Sequence, residues 1–180
     1  MAEAHPDEAR ERFEALAAEV VEPVRRFLAR RTDADTADDV LAETLLVCWR
    51  RLDQVPEPAL PWVYGVARNC LSNAERGARR QRRLAVRITA LDPPPEVEGE
   101  REPPDERVTA ALAAMRTDDA ELLRLWAWEQ LGPSEIAEVL GISANAASIR
   151  LHRARGKFVE ELRKIDDGAG HEGVRERGET

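Results

Sequence analysis

Two arginine-rich stretches hold the residue types in this 180-residue chain best suited to chemistry on a partner. Residues 61–87 contain seven arginines and one glutamate, and residues 147–165 contain six cations and two acids. The whole chain has a formal net charge of −8, so both are basic islands in an acidic sequence. Exposed charges are screened over about 8 Å at physiological salt, so a phosphate beside an island responds to that island and not to the total. All cations but Lys157 and Lys164 are arginine, whose planar fork suits phosphate oxygens and base edges.

Catalytic constellations are missing from the sequence. No G-x-S-x-G, P-loop, G-x-G-x-x-G or H-E-x-x-H occurs. Asp38, Asp39 and Glu43 lack a histidine or glycine-rich partner and read as an acidic surface near a helix start. The only cysteines, Cys48 and Cys70, form no C-x-x-C pair and read as core thiols of a reduced, cytoplasmic protein. No apolar run approaches the ~20 residues of a membrane helix, and the acidic N-terminus does not resemble a secretory signal. The expectation is a binding protein that is not an enzyme, with no cofactor, no metal and no membrane insertion.

The second island follows the most informative local run, Ser134-Glu135-Ile136-Ala137-Glu138-Val139-Leu140-Gly141-Ile142-Ser143. Two helices can cross closely at the small Ala137. Four residues later Gly141 permits the left-handed backbone of a tight turn. Ile142 fills the angle between the helices, and Ser143 can cap the second. That pattern predicts a helix-turn-helix, whose second helix presents its first residues to base edges in the major groove. The candidates there are Ser143, Ala144, Asn145, Ser148 and Ile149, followed by Arg150, His152, Arg153 and Arg155. Asparagine can pair with adenine, alanine can touch the thymine methyl, and arginine can bind guanine or phosphate.

The elements that position these residues read as helices throughout. Phe13, Leu16, Val20, Val24 and Phe27 form an amphipathic stripe, which Pro23 should break or kink near Glu22. A turn at Thr32 to Asp35 supplies acids for the next helix start. That helix runs to about Leu52, with Val40, Leu41, Thr44, Leu45, Cys48 and Trp49 inward. A third begins near Ala59–Trp62, with Trp62, Val66 and Cys70 in line and Val63, Ala67 and Leu71 beside them, and continues into Arg76, Arg79, Arg80, Arg82, Arg83 and Arg87. In the C-terminal part Val108, Leu112 and Met115 form a stripe, Thr117 or Asp118 can cap the next helix, and Leu122, Leu125, Trp126 and Leu131 pack. Pro133 opens a short helix, and the last helix runs through Phe158. Between the two parts lies an acidic, proline-rich segment with nothing to bury, an expected flexible linker. The fold class is therefore all-α, two small helical domains joined by a flexible linker, the second containing the helix-turn-helix. The domains are residues 8–88 and 108–165, with the linker at 89–107 and a polar, frayed tail at 166–180.

The chain resembles the extracytoplasmic-function (ECF) group of bacterial RNA polymerase sigma factors. Three stretches carry the likeness. The first is Ala37-Asp38-Asp39-Val40-Leu41-Ala42-Glu43-Thr44 followed by Cys48-Trp49-Arg50-Arg51. The second is Pro61-Trp62-Val63-Tyr64-Gly65-Val66-Ala67-Arg68-Asn69, running into the arginine cluster. The third is Glu135 to Ser143 with Ile149-Arg150-Leu151-His152-Arg153-Ala154-Arg155. The resemblance implies that Asp38, Asp39, Glu43, Trp49, Arg50 and Arg51 bind core RNA polymerase. It implies that Trp62, Tyr64, Arg68, Asn69, Arg76, Arg79, Arg80 and Arg83 hold the melted minus-ten element. It assigns Ser143 to Arg155 to the minus-thirty-five element. Core RNA polymerase and promoter DNA are the implied partners, together with the anti-sigma factor common in the group. Two rival readings fit parts of the sequence. One is a stand-alone helix-turn-helix transcription regulator with an N-terminal sensor or dimerisation module; the other is a helical protein that binds a protein partner and not DNA.

Overall fold

A computed structural model describes residues 6–86 and 105–175, with side chains for 7–80 and 105–167. Arg87 and most of the expected linker, residues 89–104, lie outside the described residues. Among the described residues seven α-helices run in order: α1 (Pro6–Ala29), α2 (Ala34–Arg50), α3 (Ala59–Val86), α4 (Glu106–Ala114), α5 (Thr117–Ala127), α6 (Pro133–Leu140) and α7 (Ala144–Arg175). Among the described residues there is no strand. The chain divides into two compact units. In the first, α1, α2 and α3 pack on one another; in the second, α4 and α5 pack on α7. No helix among the described residues is long and apolar enough to cross a membrane.

In the first unit α1 buries Leu16, Val20, Val24, Phe27 and Leu28. It passes through Pro23 as one helix, so of the break or kink expected near Glu22 the break does not occur. Proline leaves the Glu19 carbonyl without its usual donor, but Glu19 is exposed and water can serve it. The buried residues on either side of Pro23 belong to one stripe, which a break would split.

Helix α2 is started by Asp33. Its Oδ1 accepts the Thr36 N–H at 2.9 Å and its Oδ2 accepts the Thr36 hydroxyl at 2.9 Å. These bonds hold the Asp33 carboxyl below the usual aspartate range, the backbone N–H contributing most. A depressed folded-state pKa means the carboxylate stabilises the fold above the unfolded pKa of about 3.9 and loses that effect as pH falls through its lower folded value. Asp33→Ala is expected to cost about 1 kcal/mol at neutral pH. The deficit should shrink as pH drops below the ordinary aspartate range. Urea midpoints for both proteins across pH 2.5–7 measure this, and a deficit that stays constant with pH would contradict it.

Helix α2 ends at Arg50, and a single 3-10 turn, Leu52–Gln54, takes the last residues expected to be helical. Ala37, Val40, Leu41, Thr44 and Cys48 face inward. The Thr44 hydroxyl, fully buried, donates to the Val40 carbonyl at 2.7 Å, which satisfies it inside its own helix. Helix α3 buries Val63, Tyr64, Ala67, Cys70 and Leu71. Val63, Ala67, Cys70 and Leu71 are inward as expected, whereas Trp62 and Val66 are only half-buried and Tyr64 joins the core in their place. Cys48 and Cys70 are free and buried. Burial pushes the Cys48 thiol up to about 11, helped by the neighbouring Cys70. Burial also raises Cys70, so both are protonated, inert core groups at neutral pH.

The second unit is built on Ala111, Leu112, Ala120, Leu122, Leu123 and Leu125 from α4 and α5, with Ala147, Leu151 and Ala154 from α7. Asp105 caps α4 by accepting the Arg107 N–H at 2.9 Å. Helix α5 starts at Thr117, one residue before the position at which Asp118 could have capped it. Its N-cap residue is Arg116, with no side-chain cap bond. Trp126, expected to pack, is 39% exposed. Helix α7 continues to Arg175, past Asp166 where the sequence suggests a frayed tail. Asp166 itself is tied to α4, accepting from Arg107 at 2.7 Å. A Lys164–Glu161 pair at 2.7 Å supports the same stretch.

Candidate nucleic-acid interface

The helix-turn-helix is assembled by local chemistry. Pro133 opens α6, and the Glu135 carboxylate reaches back to accept the Gly132 N–H at 2.7 Å, serving a donor at the helix entrance. At the far end Gly141 takes φ +64. The Ile142 N–H then returns to the Ala137 carbonyl at 3.0 Å and the Gly141 N–H to Glu138 at 3.3 Å, the two bonds of a Schellman turn. Ser143 caps α7 by accepting the Ala146 N–H at 3.2 Å. Ala137 is buried.

The inward residues of α7, Ala147, Leu151 and Ala154, recur at helical spacing. At about 100° per residue the opposite side of the cylinder is centred on Asn145, Ile149 and Gly156. Ser148 and His152 flank it on one side, and Arg150, Arg153 and Lys157 on the other. Ala144, Asn145, Ser148, Arg150, His152 and Arg153 are all exposed, and Ile149 is 44% exposed. The sequence-derived reading residues therefore share one solvent face. Two of the cations beyond them are held by the unit itself. Lys157 pairs with Asp119 at 2.6 Å. The Arg155 guanidinium lies 4.6 Å from the centroid of the Trp126 ring. These two contacts had no signal in the sequence, because they join positions 38 and 29 residues apart.

On α3 the same arithmetic places Trp62, Asn69, Arg76 and Arg80 within about 40° of one another, opposite the buried stripe. Asn69, Arg76, Arg79 and Arg80 are exposed, and Trp62 and Arg68 are half-buried. Arg76 is braced on its own helix, with one nitrogen 3.1 Å from the Ser72 carbonyl and another 2.7 Å from Asn73 Oδ1. Arg79 reaches Glu75 at 3.4 Å. Tyr64 does not join this face. It is buried, with its ring 5.1 Å from Phe27, so it has no open surface for a base and its placement among the DNA-facing residues is corrected. Arg83 lies in α3 beyond the residues whose side chains are described.

The outer face of α2 carries Asp38, Asp39, Glu43, Arg50 and Arg51, all exposed. Trp49, expected inward, is 45% exposed and meets Phe13 edge-on at 5.2 Å. Leu46, which sequence reasoning missed, is 46% exposed nearby on the same helix. An apolar centre ringed by both signs of charge is the composition of a protein-binding patch. Among the described residues no group of three His, Cys, Asp or Glu is placed to hold a metal ion.

Comparison with known proteins accords with this geometry. Residues 105–158, from the α4 cap to Phe158 of α7, match the family described as Sigma-70, region 4. A probable RNA polymerase sigma factor, RfaY of Xanthomonas campestris, is 31% identical over 144 residues, covering 75% of this chain. The chain spans only 36% of that relative's length. The ECF RNA polymerase sigma factor SigL of Mycobacterium tuberculosis is 30% identical over 141 residues, 72% of this chain and 76% of the relative. The solved sigma factor RpoE of Bartonella quintana, in complex with the anti-sigma factor NepR, shares the fold. It has a TM-score of 0.61 at 20% identity, over 84% of this chain and 96% of that one. With its helix-turn-helix inside the matched region and a relative of comparable length aligned across most of it, the chain belongs to the ECF RNA polymerase sigma factors.

Proposed function

We propose that this chain directs core RNA polymerase to promoters by binding DNA at two places. The outer face of α2, from Asp38 to Arg51 with Trp49 and Leu46 at its apolar centre, docks on the polymerase. The α3 face of Trp62, Asn69, Arg76 and Arg80, with Arg68, Arg79 and Arg83, holds the opened minus-ten strand. The α7 face from Ser143 to Arg155 reads the minus-thirty-five duplex. An anti-sigma factor is the proposed regulator, and the cytoplasm the proposed site of action.

The observation that carries this reading is the solvent-facing alignment of Asn145, Ser148, Ile149 and His152 behind a capped helix-turn-helix. Those are the positions from which a second helix enters the major groove. The α3 face complements it with cations for phosphate and one half-buried ring edge for unstacked bases. No bond is made or broken by the chain itself. Unstacking costs a few kcal/mol per base, and contacts made only to the single strand offset it. Each unit alone binds briefly, and joint attachment to polymerase raises the effective concentration of each at its element.

The test pairs purified core polymerase with the chain and a duplex library randomised at both elements. Enrichment of two boxes at a fixed spacing is expected, followed by run-off transcription from them. Arg76→Glu with Arg80→Glu should lower run-off from duplex templates at least tenfold, and from templates pre-melted around the start less than twofold. Equal losses on both templates would remove the melting role from α3. Failure of the chain to associate with core polymerase would overturn the whole reading.

A further inference from the structure

The two ways in which the second unit holds its cations differ in a manner that matters for DNA. Lys157 meets a carboxylate, Asp119, at 2.6 Å, so its charge is balanced within the protein. Arg155 meets a ring. Its guanidinium lies 4.6 Å from the Trp126 centroid, and among the described residues no carboxylate lies within ion-pair distance of it. A π face orients a guanidinium without neutralising it or consuming its N–H donors. Around α7, Arg155 falls about 20° from Ser148 and about 60° from His152, at the rim of the reading face. Those three line a groove with Trp126 and Pro133, the first residue of α6. Trp126 meanwhile keeps 39% of its surface exposed, an unusual place for so large an apolar side chain if packing were its whole task.

We propose that Trp126 is a positioning residue for upstream-element binding: its ring fixes the Arg155 side chain along the rim of α7, ready to meet a DNA phosphate. This rests on the promoter-binding reading and names a residue outside the helix-turn-helix as part of it. Ordering a long, rotamer-rich side chain before contact removes part of the entropic cost of ordering it on binding. Leucine at 126 would preserve apolar bulk and lose the π face, whereas phenylalanine would keep the face.

The experiment uses holoenzyme and the duplex that wild-type holoenzyme enriches from the randomised library. Arg155→Ala is expected to weaken binding five- to tenfold and to lower the slope of log affinity against log salt by about 0.9, one phosphate contact. Trp126→Leu should weaken binding three- to fivefold, and Trp126→Phe less than twofold. In the Arg155→Ala background Trp126→Leu should have no further effect, since the two act through one contact. A purely structural Trp126 would give losses that multiply in the double variant, or equal damage from leucine and phenylalanine; either result overturns the proposal. If wild-type holoenzyme enriches no duplex at all, the promoter-binding reading falls and takes this proposal with it. If it enriches one that all Trp126 variants bind equally well, only the proposal falls.

Discussion

Phe27→Ala is expected to unfold the first unit at 37 °C while leaving the second folded. Phe27 is fully buried in α1, its ring centroid 5.1 Å from that of Tyr64 on α3 at an interplanar angle of 34°. The Arg31 guanidinium lies over the Phe27 ring, 3.7 Å from its centroid, and one Arg31 nitrogen donates to the Phe27 carbonyl at 2.8 Å. Removing a buried phenyl ring costs about 3–5 kcal/mol, through lost transfer energy and the cavity left behind. A small domain has only about 5–15 kcal/mol in total, and units of this size lie near the lower end. The cavity would also leave Tyr64 without its ring partner. Circular dichroism should therefore show the helical signal of α1–α3 lost at a lower urea concentration than that of α4–α7, in two steps. Phe27→Leu, which nearly conserves volume, should cost less than about 1.5 kcal/mol. A single unshifted transition for Phe27→Ala would show that α1 is not anchored there.

The helix-turn-helix was legible in the sequence because its chemistry is local. Pro133, Gly141 and Ser143 each act within a few residues of themselves, so residue type and spacing carry the information. The outward face of α7 follows from the same periodicity. The aromatic residues were harder to place, because a helix's period defines a stripe without saying which edge of it meets a neighbour. On α3 the expected Val63, Ala67, Cys70 and Leu71 are buried, but the edge of the stripe took in Tyr64 and left Trp62 partly out. Trp49 was expected inside and Trp126 to pack; each is exposed and finds its partner on another helix, Phe13 and Arg155 respectively. Those pairings depend on long-range packing that no local pattern encodes. Pro23 shows the opposite limit. Its local penalty is real, but tertiary burial of Val20, Val24 and Phe27 on one face outweighs it.

Reversing both Arg150 and Arg153 to glutamate should weaken holoenzyme binding to the upstream duplex by roughly a hundredfold or more. Both side chains are exposed on one flank of α7, three residues apart, beside the face that carries Asn145 and Ile149. A charge-assisted hydrogen bond contributes about 1.5–3 kcal/mol. Losing two of them accounts for that factor before any repulsion between the new carboxylates and phosphates is added. The salt slope should fall by about 1.8, for two phosphate contacts removed. Misfolding would not mimic this result. Glutamate and arginine have similar helix propensities, and both positions are exposed. The urea midpoint of the double variant should match wild type. Binding to core polymerase, assigned to α2, should also persist, so the variant would enter holoenzyme and fail only on DNA. Full retention of duplex affinity by such a holoenzyme would separate the two surfaces the other way. It would make the basic flank of α7 a site for a protein partner, the reading in which a helical interaction module has no DNA to recognise.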